Sequence, residues 1–457
     1  MRIQSSLGMR CISVKKYLLF CNFILWGSTL VAIPEWTALI YVQANNNLSP
    51  YALKNFNDML TVGSNDTMTS LVQWYQPGQA GTWRYKIEKG KMVLEECNAT
   101  PSDGSTAHDL VDAMRWAVTK HPAKKYSLVL WDHGLGIIDP TWGNHRPWVS
   151  KELLNIDPDF VKNNPRIQIS GLTVEHADDL VLTSTAQQLD TILTETLQRG
   201  ILFNEQSKTY MDNQNLSQAL KDISTQVLKG KKLDILGMDA CLMAMVEISY
   251  LAHRYASILV ASQEVELANG WNYAAFGHLL STKNSSPSLI AQGIVKSYEQ
   301  YYKDRVQFYT QSAINLECVD LIKDNIDLVI SGFKACQGLK NNDITALAKK
   351  ARRSCLQLSS SNYVDLHTFY ADFYHQLSTS NKSFTRSKTV DELKDSLTLG
   401  MQLIEQAVIA NTSGKNLARA KGLSIYFPQR FIDRSYPKTD FAQDCQWYGF
   451  IKELCGG

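Results

Sequence analysis

Short apolar runs alternate with amphipathic stretches along the first two thirds of the chain. "WTALIYVQ" (36–43), "TSLVQWYQ" (69–76), "YSLVLWDH" (126–133), "KLDILGMD" (232–239) and "SILVASQ" (257–263) are rich in β-branched and aromatic residues, the composition of strands. The 126–133 run is continuously apolar until it ends in polar residues, as a central parallel strand does. "NNNLSPYALKNFNDML" reads as a polar turn entering a helix near Ser49 and Pro50. Residues 82–96 alternate around Lys89-Gly90, a hairpin signal. Residues 105–121 have helical spacing through Leu110, Met114 and Val118, with Ser105 as N-cap. Residues 134–178 are rich in Gly, Pro, Asn and Asp, and so long a loop is usually functional. Helices are expected over 180–199 and 241–256, and from about 285 the pattern is mostly helical. "GLSIYFP" (422–428) is a late strand that Pro428 ends. Alternation of this kind predicts an α/β fold with a mainly parallel sheet.

With 457 residues, the chain suits one large α/β domain with additions, or two domains. A formal net charge of +2 gives no strong field for nucleic acid. The nine cysteines are widely spaced without a CxxC, which argues against a zinc knuckle or thioredoxin-type site. Cys445 and Cys455 are close enough in sequence to bridge. Near the N-terminus Arg10, Lys15 and Lys16 precede an uncharged run, 17–34, the pattern of a signal peptide or a membrane anchor. Export to a secreted, periplasmic or anchored location is therefore expected, with membrane contact only through that segment if it is retained.

Chemistry collects at two strand ends. One run ends "WDHGLG", giving His133 and Gly134; another ends "DAC", giving Asp239 and Cys241. Sites in open parallel sheets form beyond the carboxyl ends of strands, so neighbouring strands would bring His133 and Cys241 into one crevice. A free thiol of pKa about 8.5 is only slightly ionised at neutral pH. An imidazole can take its proton, and a helix N-terminus at Cys241 would also favour the thiolate. The N–H groups of Gly134 and Cys241 could hold an oxyanion. That set performs acyl transfer. A lone cysteine on an apolar run is nonetheless usually a small core residue. Asp239, two residues before Cys241 on a strand, shares its face. Its charge would oppose thiolate formation, so it reads either as the partner of a cationic substrate group or as a helix cap. Other chemistries lack their residues. There is no GxGxxG, P-loop, HExxH or G-x-S-x-G, and the position of a phosphatase arginine is Glu247. No histidine spacing suggests a metal.

Taken together, "WTALIYVQANNNLSPYAL", "LVLWDHGLG", "DILGMDACLMAMVE", "VASQEVELANGWNY" and "GLSIYFP", in this order, resemble the clostripain family of cysteine peptidases, within the caspase–legumain–gingipain group. The resemblance spans about 36–450. It implies a caspase-like three-layer sandwich over 35–284, after the 1–34 leader, with a helical part over 285–457 completed by the strand 422–428. It implies that His133 and Cys241 are the catalytic dyad, with Gly134 and Cys241 as oxyanion donors. It further implies that Asp239 lies in a pocket for Arg or Lys before the scissile bond. A second acidic group often assists there. In "EVELANGW" the candidates are Glu264 and Glu266; a position at Asn269 would alter basic specificity. Members are often zymogens cut between histidine and nucleophile. Arg146, Lys151, Lys162, Arg166 and the cluster Lys229, Lys231, Lys232 are candidate self-cleavage points. Some members use calcium, so calcium stays open by resemblance only. A catalytically silent surface-binding relative is the alternative, and the intact dyad positions argue against it.

Overall fold

The computed structural model describes residues 33–78, 81–98, 102–139, 201–340 and 342–455. The leader, the loop residues 140–178 with four of the candidate cleavage points, and the expected helix 180–199 lie outside the described residues.

Thirteen strands are described. They are β1 (Trp36–Gln43), β2 (Met68–Tyr75), β3 (Thr82–Glu88), β4 (Lys91–Asn98), β5 (Lys125–Trp131), β6 (Ile201–Asn204), β7 (Thr209–Met211), β8 (Leu233–Asp239), β9 (Ala256–Ala261), β10 (Thr310–Asn315), β11 (Tyr363–Asp365), β12 (Val408–Ser413) and β13 (Ser424–Tyr426). Nine of them form one sheet in the order β12-β10-β9-β8-β5-β1-β2-β3-β4. The five middle strands, β9 to β2, run parallel, and antiparallel strands extend both sides. All eight residues of β1 are buried, because helices cover both faces.

Period-two alternation sorts side chains into two cores. Leu39, Leu71, Leu128 and Leu236 enter one core, with the helices Ala107–Lys120 and Val319–Gln337. Ile40, Val72, Val129 and Ile235 enter the other, with the helices Ser49–Val62 and Pro287–Tyr302. The helix at Ser49 starts as read, with Pro50 in its first turn. The cap of the 107–120 helix is Thr106 rather than Ser105; its hydroxyl accepts the Asp109 N–H.

Two differences from the sequence reading bear on the site. The 241–256 helix is shorter, Val246–Ala252, and residues 240–245 are not helical. Strands β10 and β12, inside the stretch read as mostly helical, complete the central sheet, so the parts expected as 35–284 and 285–457 share it. The described residues belong to one compact unit. The late strand, β13, pairs with β11 in a separate two-stranded sheet. Cys445 and Cys455 are both free thiols.

Candidate active site

Strands β5 and β8 pair in parallel with Trp131 opposite Asp239. His133 and Cys241 each follow two residues later, so they leave adjacent strands at the same level. The Asp132 N–H donates to the Asp239 carbonyl, 3.3 Å, which holds the two tails together beyond the sheet. Gly134 is packed against the Cys241 segment. A Cβ there would lie 2.4 Å from the Cys241 carbonyl oxygen and 3.0 Å from its nitrogen. Only glycine permits that approach.

The run after Cys241 is braced by the segment after β9. Leu242 N–H donates to the Glu264 carbonyl at 3.0 Å and Ala244 N–H to the Ser262 carbonyl at 2.9 Å. Leu242 takes a left-handed conformation, φ 64°, which is uncommon for leucine and costs roughly 1–2 kcal/mol. This extended run replaces the expected helix start. Cys241 therefore sits five residues before the first residue of the helix Val246–Ala252, too far for the helix dipole to favour its thiolate as the sequence suggested.

Cys241 is buried, and its Sγ accepts the Glu266 N–H at 3.3 Å. Burial pushes the thiol up to about 12, with the Glu266 and Glu264 charges adding to the rise and the Glu266 and Gly134 N–H groups opposing it. The empty site thus holds a thiol, not a thiolate. His133 is also buried, and its Nε2 lies 2.8 Å from Asn47 Oδ1. An amide oxygen only accepts, so in this pair Nε2 is the donor. Asn47 comes from the polar "NNN" after β1, the strand beside β5. Sequence reading took that stretch only as a turn. Replacing Asn47 by alanine should cut kcat about tenfold to a hundredfold with little change in KM, and shift the acidic limb of the pH–rate profile. An unmoved pH profile would remove its positioning role.

Asp239 Oδ2 accepts the Tyr273 hydroxyl at 2.8 Å and the Trp271 N–H at 3.2 Å. Its neighbour is Glu266, whose Oε1 accepts Gln311 Nε2 at 3.1 Å and whose Oε2 finds no donor among the described residues. Burial raises Asp239 to about 6 despite those donors, and burial with the Asp239 charge raises Glu266 well above the carboxylate range. Asp239 and the Tyr298 hydroxyl are the groups beside Glu266, and a proton shared with Asp239 would supply a donor there. Gly270 closes this chamber with φ +60°, and a Cβ there would stand 2.6 Å from Asp239 Oδ2. Asn269 contributes its carbonyl to the Asn55 side chain, 3.0 Å. Glu264 faces elsewhere: its oxygens accept the Val265 and Ser359 N–H groups at 2.8 and 2.9 Å. So Glu266 stands beside Asp239, and Glu264 does not. Lys229, Lys231 and Lys232 are exposed in the turn before β8. Among the described residues, no group of three or more His, Cys, Asp or Glu is arranged to hold a metal.

These raised carboxyls set a stability slope. Glu264 and Glu247, like Asp239, are pushed up by burial, each of the first two to about 7. The folded state then holds more protons than the unfolded chain, whose carboxyls titrate near 4. Their stabilisation is complete at low pH and is lost as pH rises through about 6 to 7. The urea midpoint should therefore be higher at pH 5.5 than at pH 8, with Glu264→Gln flattening the slope. A midpoint that rises with pH over that window would contradict the burial of these groups.

The sequence profile of the clostripain family matches residues 40–170 and 186–453. No curated protein matches the chain. A secreted C11 cysteine protease of Bacteroides thetaiotaomicron, solved with an irreversible peptide inhibitor, is 16% identical, with a TM-score of 0.57 over 91% of this chain and 99% of that one. An inactive zymogen C11 protease of Parabacteroides distasonis is 16% identical, with a TM-score of 0.56 over 92% and 98%. Another structure of a secreted C11 cysteine protease of B. thetaiotaomicron, called iotapain, is 14% identical at a TM-score of 0.57 over 90% and 99%. The likeness is in the fold.

Proposed function

The chain belongs to the clostripain family of cysteine peptidases, and we propose that it cleaves peptide bonds after lysine or arginine through Cys241 and His133. The observation that carries this reading is the paired departure of the two residues from adjacent parallel strands, beside a buried acidic chamber. His133 takes the thiol proton as Sγ attacks the scissile carbonyl carbon. The oxyanion is met by the N–H groups of Gly134 and Cys241. The C–N bond breaks, the amine leaves with the proton from His133, and a thioester remains. Water, deprotonated by His133, then releases the acid and restores the thiol. Because no helix dipole acts on Cys241, proton transfer accompanies attack.

Asp239 and Glu266 attract the cationic side chain before the scissile bond, and their shared proton leaves as it enters. Export is supported by the basic flank and apolar run of residues 10–34, and by the secreted C11 protease of B. thetaiotaomicron among the structural matches. Self-cleavage is supported by the zymogen relative and by the exposed Lys229, Lys231 and Lys232.

A peptide library scored for the residue before the cut tests the specificity. Acidic or apolar preference would overturn it. Intact mass tests self-cleavage: wild type is expected in two fragments and Cys241→Ala in one. A cut variant, made without other protease, would assign the cleavage elsewhere.

A further inference from the structure

We propose that an open cleft between the segment after His133, the helix Val246–Ala252 and residues 435–441, whose enclosed part of about 20 Å³ admits only a water-sized head group, binds an organic ammonium group of the lysine side-chain type, with Glu247 and Asp139 as its anions. Glu247 is 1% exposed. Its Oε1 accepts the Tyr426 N–H at 2.9 Å and the Tyr436 hydroxyl at 3.0 Å. Its Oε2 has no partner among the described residues, yet Glu247 lines the cleft. A buried carboxyl oxygen without a donor is costly, and more so when charged, so it keeps a proton or takes a cation. Asp139 lines the same cleft, and its Oδ1 accepts the backbone and side-chain N–H groups of Asn213, each at 3.2 Å.

The lining selects the class of cation. Ile137, Leu251 and Phe441 supply apolar wall, which suits an alkyl stem carrying a charged head. No metal-holding group of His, Cys, Asp or Glu occurs among the described residues. Burial raises Glu247 to about 7; burial, with the charges of Asp212 and Asp433, raises Asp139 to about 6. Near neutral pH the empty cleft therefore retains protons that an entering ammonium displaces. Lys438 and Asp440 stand exposed at the rim, and Tyr210 lies near Asp139. Lys438 opposes a cation, so one carboxylate alone would bind weakly.

This cleft is distinct from the chamber of Asp239 and Glu266 but tied to both dyad strands. The Ile137 N–H meets Met245 Sδ at 3.4 Å, and the Asn213 side chain holds the Ile137 carbonyl at 2.9 Å. An occupant would brace the segments that follow His133 and Cys241 together.

Calorimetric titration with n-butylammonium chloride tests this. It is done in an Asp239→Asn/Glu266→Gln background, so that the other acidic chamber draws no cation whether or not it is a substrate pocket. Saturable binding with proton release is expected, absent with n-butanol, weakened at least tenfold by Glu247→Gln and clearly reduced by Asp139→Asn. No saturable binding, binding unchanged by Glu247→Gln in a protein of normal melting temperature, or displacement by an equal concentration of calcium chloride would overturn the proposal. If Glu247→Gln does not fold, Asp139→Asn decides, and undiminished binding there overturns it.

Discussion

Cys241→Ala is expected to lower kcat/KM for a lysyl or arginyl peptide by about 10⁴-fold or more, because removal of the nucleophile leaves only binding and oxyanion contacts. The fold should survive. The lost Sγ accepts the Glu266 N–H, so its removal costs about 1 kcal/mol. Cys241→Ser restores an acceptor and should regain stability without regaining rate. His133→Ala should match the alanine variant in rate, since a thiol held near pKa 12 cannot attack unaided. An arginyl electrophile should label wild type and neither Cys241 variant. Labelling that persists in Cys241→Ala, or more than a tenth of wild-type hydrolysis, would place the nucleophile elsewhere.

The same burial predicts a poorly reactive resting thiol. Cys241 is braced among N–H donors and surrounded by Glu264 and Glu266, with no helix start beside it. Iodoacetamide, which brings no cationic group, should therefore react slowly beside a substrate-like electrophile. That contrast belongs to a site in which the base acts during attack.

Which features were legible follows from the range of the forces involved. Strand runs such as 36–43 and 126–133 were readable because strands buried on both faces must be apolar throughout. The departure of His133 and Cys241 from adjacent strands was readable only as a conditional, since it depends on β5 and β8 being neighbours. Three things were not readable. β12, "VIANTS", is half polar because it is an edge strand, and so it hid among helices. The 240–245 stretch has helix-forming residues, yet bonds from Leu242 and Ala244 to Glu264 and Ser262 override that preference. Asn47 carries no pattern of its own; only the neighbouring position of β1 and β5 brings it to His133. The second acid of the chamber was undecidable between Glu264, Glu266 and Asn269, because a loop has no period from which to read direction.

Asp239→Asn is expected to lower kcat/KM for lysyl or arginyl substrates about 10²-fold and to leave a norleucyl substrate nearly unchanged. The magnitude lies within the 2–5 kcal/mol lost when one member of a buried charge pair is removed. It should not be larger, because Glu266 remains. In wild type, Glu266 is held above its ordinary range by burial and then by the Asp239 charge. Removing that charge lets Glu266 ionise at lower pH and serve the cation alone. Two results follow. Adding Glu266→Gln should remove a further tenfold to hundredfold and most of the preference for basic residues. The pH dependence should also move: in wild type, binding of a basic side chain improves as pH rises through about 6 and above, while the pair sheds its proton. In Asp239→Asn the rise should shift to lower pH. Preference kept within threefold in the double variant would sink the chamber as the specificity pocket. An unshifted pH limb in the single variant would show that the two carboxyls do not share a proton.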